Sequence, residues 1–191
     1  MTKLIKKIKT IPKDYFSLND LKKISNLSKA SLKVAVNRLV KNNELIKLGN
    51  SLYAHDISKL DLEKLSIEIY QPSYLSFEWV LAKNNILSQK PYHLTLATNK
   101  RSKKVIINKN IIIYHHLKPR LFWGYKREDN ILIAETEKAF LDLAYLSLNG
   151  YAKFDPEEMN LKILNKPKLK KYLNKFNYKK LDNLILSCLK L

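Results

Sequence analysis

Glycine occurs only three times in 191 residues, at 49, 124 and 150, so no glycine-rich loop is available to cradle a phosphate. A single cysteine, Cys188, excludes an internal disulfide and sets the expectation of a reducing, cytoplasmic setting. No apolar run approaches the roughly 18 residues that a membrane span needs. The basic start MTKLIKKIKTIPK also lacks the apolar centre of a signal peptide. Metal-ligand spacings are missing too, with no His-x-x-x-His and no Cys-x-x-Cys. The one histidine pair, His115-His116, would point to opposite faces of a strand. Glu-x-Lys occurs nowhere, which weakens a carboxylate–lysine nuclease site. Acids are scarce: 17 against 36 basic residues give a net charge of +19.

Such an excess suggests a polyanionic partner, nucleic acid before membrane surface. Only four of the basic residues are arginine (38, 101, 120 and 127), and AT-rich coding alone would inflate lysine. The position of the charge therefore says more than its total. Through His55 the chain holds 12 basic and 3 acidic residues, a net of +9. Hydrophobic residues make up 46% and charged residues 28%, a globular balance.

The segment SKASLKVAVNRLVKNN places Leu32, Ala35, Val36, Leu39 and Val40 on one helical stripe. Ala30, Lys33, Val34, Asn37 and Lys41 fall on the opposite face, flanked by Ser31 and Arg38. Before it, Leu4, Ile5, Ile8 and Ile11 make a short amphipathic segment that ends at Pro12. FSLNDLKKIS follows as a second short helix, with Ser17 as N-cap, Asp20 at the positive end and Leu18, Leu21 and Ile24 inward. NLS is a tight connection, and Ser28 caps the longer helix. Then Leu45, Lys47 and Leu48 approach a turn at Gly49-Asn50, and Leu52 and Tyr53 leave it. Helix, helix, helix, hairpin is the order of a winged helix-turn-helix.

In that architecture the outer face of the longer helix enters the major groove. Asn37 would pair with adenine and Arg38 with guanine or phosphate, while Val34 or Ala30 would touch a thymine methyl. Lys29, Lys33 and Lys41 suit phosphates. Ser31 flanks the face, and Asn50 with Ser51 would sit at the wing tip. A solvated outer face or a protein-docking module is the plainer alternative.

ISKLDLEKLSIEIYQPS is expected to be the junction, dividing the chain into residues 1–60 and 61–191. YLSFEWVLAKNNIL is expected to be a helix in which Leu75, Trp79, Leu81 and Ala82 are apolar, stopped at Asn84-Asn85. YHLTLAT alternates as a half-buried strand would, and KKVIINKNIIIYHHLK suggests a hairpin about 108–110. LFWGY and ILIA are short apolar runs. ETEKAFLDLAYLSLNG is a helix with Ala139, Phe140, Leu143, Ala144 and Leu146 inward and Gly150 at its stop. Three Lys-rich helices are expected to finish the chain, opened near Asp155-Pro156 and Lys166-Pro167. The fold class is α+β: a winged helix-turn-helix, then a small, mainly antiparallel sheet packed by helices, with a helical tail.

Glu135, Glu137 and Asp142 surround the start of a predicted helix, where acids favour the positive dipole end. Trp79, Trp123 and Tyr125 suit a core or interface better than a base-stacking platform. The second domain is therefore expected to bind rather than catalyse, with no metal and no cofactor.

The blocks QPSYLSFEWVLAKNNIL, LTLAT, IIIYHHLKPRLFWGY and ILIAETEKAFLDLAYLSLNG, preceded by LGNSLYA, together resemble AbiEi-type antitoxins, from about Phe16 to Gly150. The resemblance implies an N-terminal winged helix that binds inverted repeats in its own promoter, and a C-terminal domain that provides antitoxicity. It also implies an AbiEii-type toxin of the nucleotidyltransferase superfamily as functional partner, in a phage-defence abortive-infection system. For this family antitoxicity need not involve a stable toxin complex. Two other expectations stand beside it: a restriction-type nuclease, and a winged-helix transcription factor that senses a ligand.

Overall fold

The structure is a computed structural model that describes residues 3–49, 51–58 and 60–189. Its contacts divide the chain into two compact units, residues 1–69 and 70–191, so the division falls within the segment expected to be a junction but later than residue 60.

In the first unit the apolar spacing of KLIKKIKT makes helix α1 (Lys3–Thr10), which buries Leu4, Ile5 and Ile8. A two-residue strand, β1 (Phe16–Ser17), leads straight into α2 (Leu18–Ile24). Ser17 Oγ accepts from the Asp20 backbone N–H at 3.1 Å, and Asp20 Oδ2 accepts from the Ser17 N–H at 2.8 Å. That reciprocal pair satisfies two otherwise orphaned donors and sets where α2 begins. Helix α3 (Lys29–Lys41) starts at Ser28, whose Oγ accepts from the Ser31 N–H at 3.2 Å. It ends where Asn43 takes a left-handed φ of 56°, which turns the Glu44 and Leu45 N–H groups back onto the Leu39 carbonyl.

Strands β2 (Ile46–Gly49) and β3 (Leu52–Ala54) pair antiparallel, and β1 adds to β3, giving the order β1-β3-β2. Gly49 has φ +116°, a conformation that the turn requires and side chains resist. The core gathers Ile5, Ile8, Phe16, Leu21, Leu32, Val36, Leu39, Leu45 and Tyr53. Where a junction was expected, residues 62–69 instead form helix α4 (Leu62–Ile69), opened by Asp61, whose Oδ1 accepts from the Lys64 N–H at 3.1 Å.

The second unit is built on a six-stranded mixed sheet. Its strands are β4 (Ser73–Leu75), β5 (His93–Thr98), β6 (Lys103–Ile107), β7 (Asn110–His116), β8 (Tyr125–Glu128) and β9 (Ile131–Ala134), in the order β6-β7-β5-β4-β9-β8. Three neighbouring pairs run antiparallel, while β5–β7 and β4–β9 run parallel, so the sheet is larger and more mixed than expected. Parallel pairs put their crossovers on the sheet faces. This explains why β5 is buried from Leu94 through Thr98 instead of alternating.

Leu75 lies on β4 rather than on the helix expected there; α5 is shorter, Phe77–Lys83. Helix α6 (Thr136–Leu148) is buried continuously from Glu137 to Leu146 and packs against α5, α7 (Lys166–Phe176) and α8 (Lys179–Leu189). The tail holds these two α-helices, and Asp155-Pro156 opens only a short 3-10 turn. The class is mixed α+β.

Candidate nucleic-acid interface

Leu32, Val36 and Leu39 anchor α3 in the core of the first unit, with Ala35 and Val40 packed at its margin. A helix held on one side must leave the other outside. Lys29, Ala30, Ser31, Lys33, Val34, Asn37, Arg38 and Lys41 are all exposed, Val34 by 52%. From Lys29 to Lys41 the row runs about 18 Å at the rise of an α-helix. Ser28 Oγ donates to Ser31 Oγ at 2.9 Å, so the Ser31 hydroxyl helps to define the start of the helix. Ser51 is exposed on the hairpin turn with φ 61°, and Asn50 lies outside the described residues.

Charge within this unit is segregated. Among the described residues no carboxylate comes within ion-pair distance of Lys29, Lys33, Arg38 or Lys41. The acids gather elsewhere. Burial pushes the Tyr15 hydroxyl up to about 12, helped by the charges of Glu68, Asp61, Asp14 and Asp20. Partial burial also pushes the Asp20 carboxyl up. The Lys13 ammonium at 2.9 Å and hydrogen bonds from Ser17 outweigh that and hold it down at about 2. Residues 1–69 hold 14 basic and 7 acidic residues, a net of +7, and the remainder is +12. The acids Asp56, Asp61, Glu63 and Glu68 offset the basic excess before them, so the two units are equally basic per residue. On α3, Lys29, Lys33, Arg38 and Lys41 share one outer face with the polar Asn37.

The second unit contains a polar cluster that the sequence did not suggest. Lys138 and Asp142, one turn apart on α6, form an ion pair that is fully buried. Lys138 Nζ also donates to Tyr74 OH at 2.9 Å, while Tyr74 OH and Ser76 Oγ donate to Asp142 Oδ2 at 3.0 and 2.9 Å. The ammonium lies 5.0 to 5.5 Å from the ring centroids of Phe176, Trp123 and Tyr74. Burial pulls Lys138 down and pushes Asp142 up, each resisted by the other's charge. Sealed from solvent, the cluster joins β4 to α6. The helix-dipole account of Asp142 is therefore corrected: it sits mid-helix as Lys138's partner.

Glu135 and Glu137 do stand at the start of α6, but they tie down α7. Lys168 Nζ is 3.0 Å from Glu135 Oε1 and 3.3 Å from Glu137 Oε2. Tyr172 donates to Glu135, and the Asn165 N–H donates to Glu137 at 3.0 Å. His115 and His116 diverge: His115 packs edge-on to Phe77 at 5.1 Å, and His116 is exposed. Among the described residues no three His, Cys, Asp or Glu side chains converge on a common point.

No protein-family model matches this chain, and no curated protein matches it in sequence.

Proposed function

We propose that the first unit is a winged helix-turn-helix that lays α3 along the major groove, and that the protein is an autorepressor and antitoxin of an AbiE-like system. The observation that carries the DNA reading is the outer face of α3. Lys29, Lys33, Asn37, Arg38 and Lys41 are presented together without a carboxylate partner among the described residues. The order α1, β1, α2, α3, β2, β3, with α2 and α3 joined by four residues, also supports it. Phosphates take the lysines, and Asn37 reads a base edge.

Support for the antitoxin half comes from the blocks that resemble AbiEi proteins. YLSFEWVLA and EKAFLDLAY supply Tyr74 and Ser76 on one side and Lys138 and Asp142 on the other, one buried cluster. The second unit acts by binding, and the protein is not an enzyme. Its functional partner is a nucleotidyltransferase-type toxin encoded beside it.

The test is fluorescence anisotropy of the full chain on duplex from upstream of its own gene, at stated salt, against random duplex. The expected result is tighter binding to the upstream duplex by a factor of about 10³ or more. Equal affinity would overturn the repressor reading. Co-expression with the neighbouring toxin tests the rest: growth should be rescued.

A further inference from the structure

A groove of about 1050 Å³ opens on the second unit, bounded by the turn at residues 99–102, the start of β6 and the end of β7. Lys100, Arg101, Lys103 and Lys104 line it, and among the described residues no acid does. None of the four has a carboxylate within ion-pair distance among the described residues.

The turn that carries these cations is braced. The Lys100 N–H donates to Thr98 Oγ1 at 3.2 Å, and Tyr70 OH donates to the Arg101 carbonyl at 3.1 Å. His116 Nδ1 lies 2.8 Å from the Lys100 carbonyl, which can only accept, so this nitrogen carries the proton. Aromatic rings complete the groove. Lys103 Nζ and Lys100 Nζ sit 4.9 and 5.6 Å from the Tyr70 ring centroid. Tyr151 stands at the rim, 72% exposed.

Cations gathered without counter-charge repel one another, and a multiply charged anion relieves that repulsion. The Arg101 guanidinium fork matches phosphate oxygens. An exposed tyrosine ring beside such a site offers a face for an unpaired base. We infer that this groove binds a nucleotide unit, with phosphates on Lys100, Arg101 and Lys103 and the base stacked on Tyr151. The unit is either a free nucleotide or an unpaired residue of a single strand, since a duplex keeps its bases stacked on each other. The inference is independent of DNA binding by α3.

The test is calorimetric titration of the full chain with ATP, inorganic pyrophosphate, a short single-stranded oligonucleotide and duplex DNA. Saturable ATP or single-strand binding is expected. The Lys100→Ala/Lys103→Ala variant should weaken ATP and pyrophosphate alike, by about tenfold. Tyr151→Ala should weaken ATP by roughly tenfold and leave pyrophosphate unchanged. Lys33→Ala/Lys41→Ala should change neither, which separates this site from α3. Lys100, Tyr151, Lys33 and Lys41 are exposed and Lys103 is half-buried, so melting temperatures should change little. Tighter binding of the strand than of ATP, lost with the same substitutions, assigns the strand as source; the reverse order assigns the free nucleotide. Three outcomes overturn the inference: no saturable binding of ATP or strand, a Tyr151→Ala protein that binds ATP unchanged, or duplex binding this groove as tightly as single strand.

Discussion

Asn37 and Lys41 are one turn apart on the outer face of α3 and would act on a duplex in different ways. An amide can meet adenine with two hydrogen bonds, so Asn37→Ala should cost about 1–3 kcal/mol on the preferred duplex and little on random DNA. Lys41, assigned to phosphate, would carry no sequence information. Lys41→Ala should therefore weaken all duplexes alike and reduce the slope of log affinity against log salt by about one. Titrations of both variants at several salt concentrations separate the two. Equal losses for Asn37→Ala on preferred and random DNA would remove its base-reading role. In the second unit the sensitive residues are sealed inside. Gly124 has φ +75°, and an added Cβ would come within 2.9 Å of the buried Lys138 side chain. Gly124→Ala should thus destabilise by about 1–3 kcal/mol in urea unfolding. Asp142→Asn leaves a buried ammonium without its counter-charge and should cost about 3–5 kcal/mol. Glu135→Gln, at a partly exposed pair, should cost under about 1 kcal/mol.

At the scale of elements, the helices with polar caps were legible because a cap is a local event. Ser17, Asp20 and Ser28 mark α2 and α3 in the sequence, and the same side chains cap them in the structure. Ser17→Ala should cost about 1 kcal/mol, measured by denaturant unfolding. The Ser17–Asp20 box also sets a pH dependence. The Asp20 carboxyl is held at about 2, below its ordinary 3.8, so it contributes stability above about pH 4 and loses it as pH falls towards 2. Ser17→Ala removes part of that depression, and the acid loss specific to Asp20 should shrink, as followed by an acid titration of helicity. Asp61 is the same kind of local signal for α4, in a stretch whose composition suggests a junction. The boundary between β4 and α5 was not legible from period. Leu75 fits an apolar stripe either way, and the chain turns at Ser76–Phe77, where Phe77 takes a φ of 58°. A bulky residue holds that conformation only where its surroundings impose it. Here Ser76 bonds Asp142, 66 residues away in sequence.

Taken whole, the molecule carries its +19 charge at similar density in its two units. Lys29, Lys33, Arg38 and Lys41 together should give DNA binding a steep salt dependence. The log–log slope should be about −3 to −4 if each of the four neutralises one phosphate per copy. Anisotropy from low to physiological salt measures it; a slope near −1 would show that the face of α3 is not in contact.

Residue order alone specified the α+β class, the inward stripe of α3 and the starts of α2 and α3, because period and capping act within a few neighbouring residues. Long-range contact determined the rest. The pairing of Tyr74 and Ser76 with Lys138 and Asp142 joins segments 64 to 68 residues apart, and the mixed strand order and the two-sided burial of β5 likewise depend on strands well separated in the chain. The cationic groove likewise depends on Tyr70 reaching Arg101 across the fold. Neither helical nor strand period carries information at that separation, so these features exist only once the chain has closed on itself.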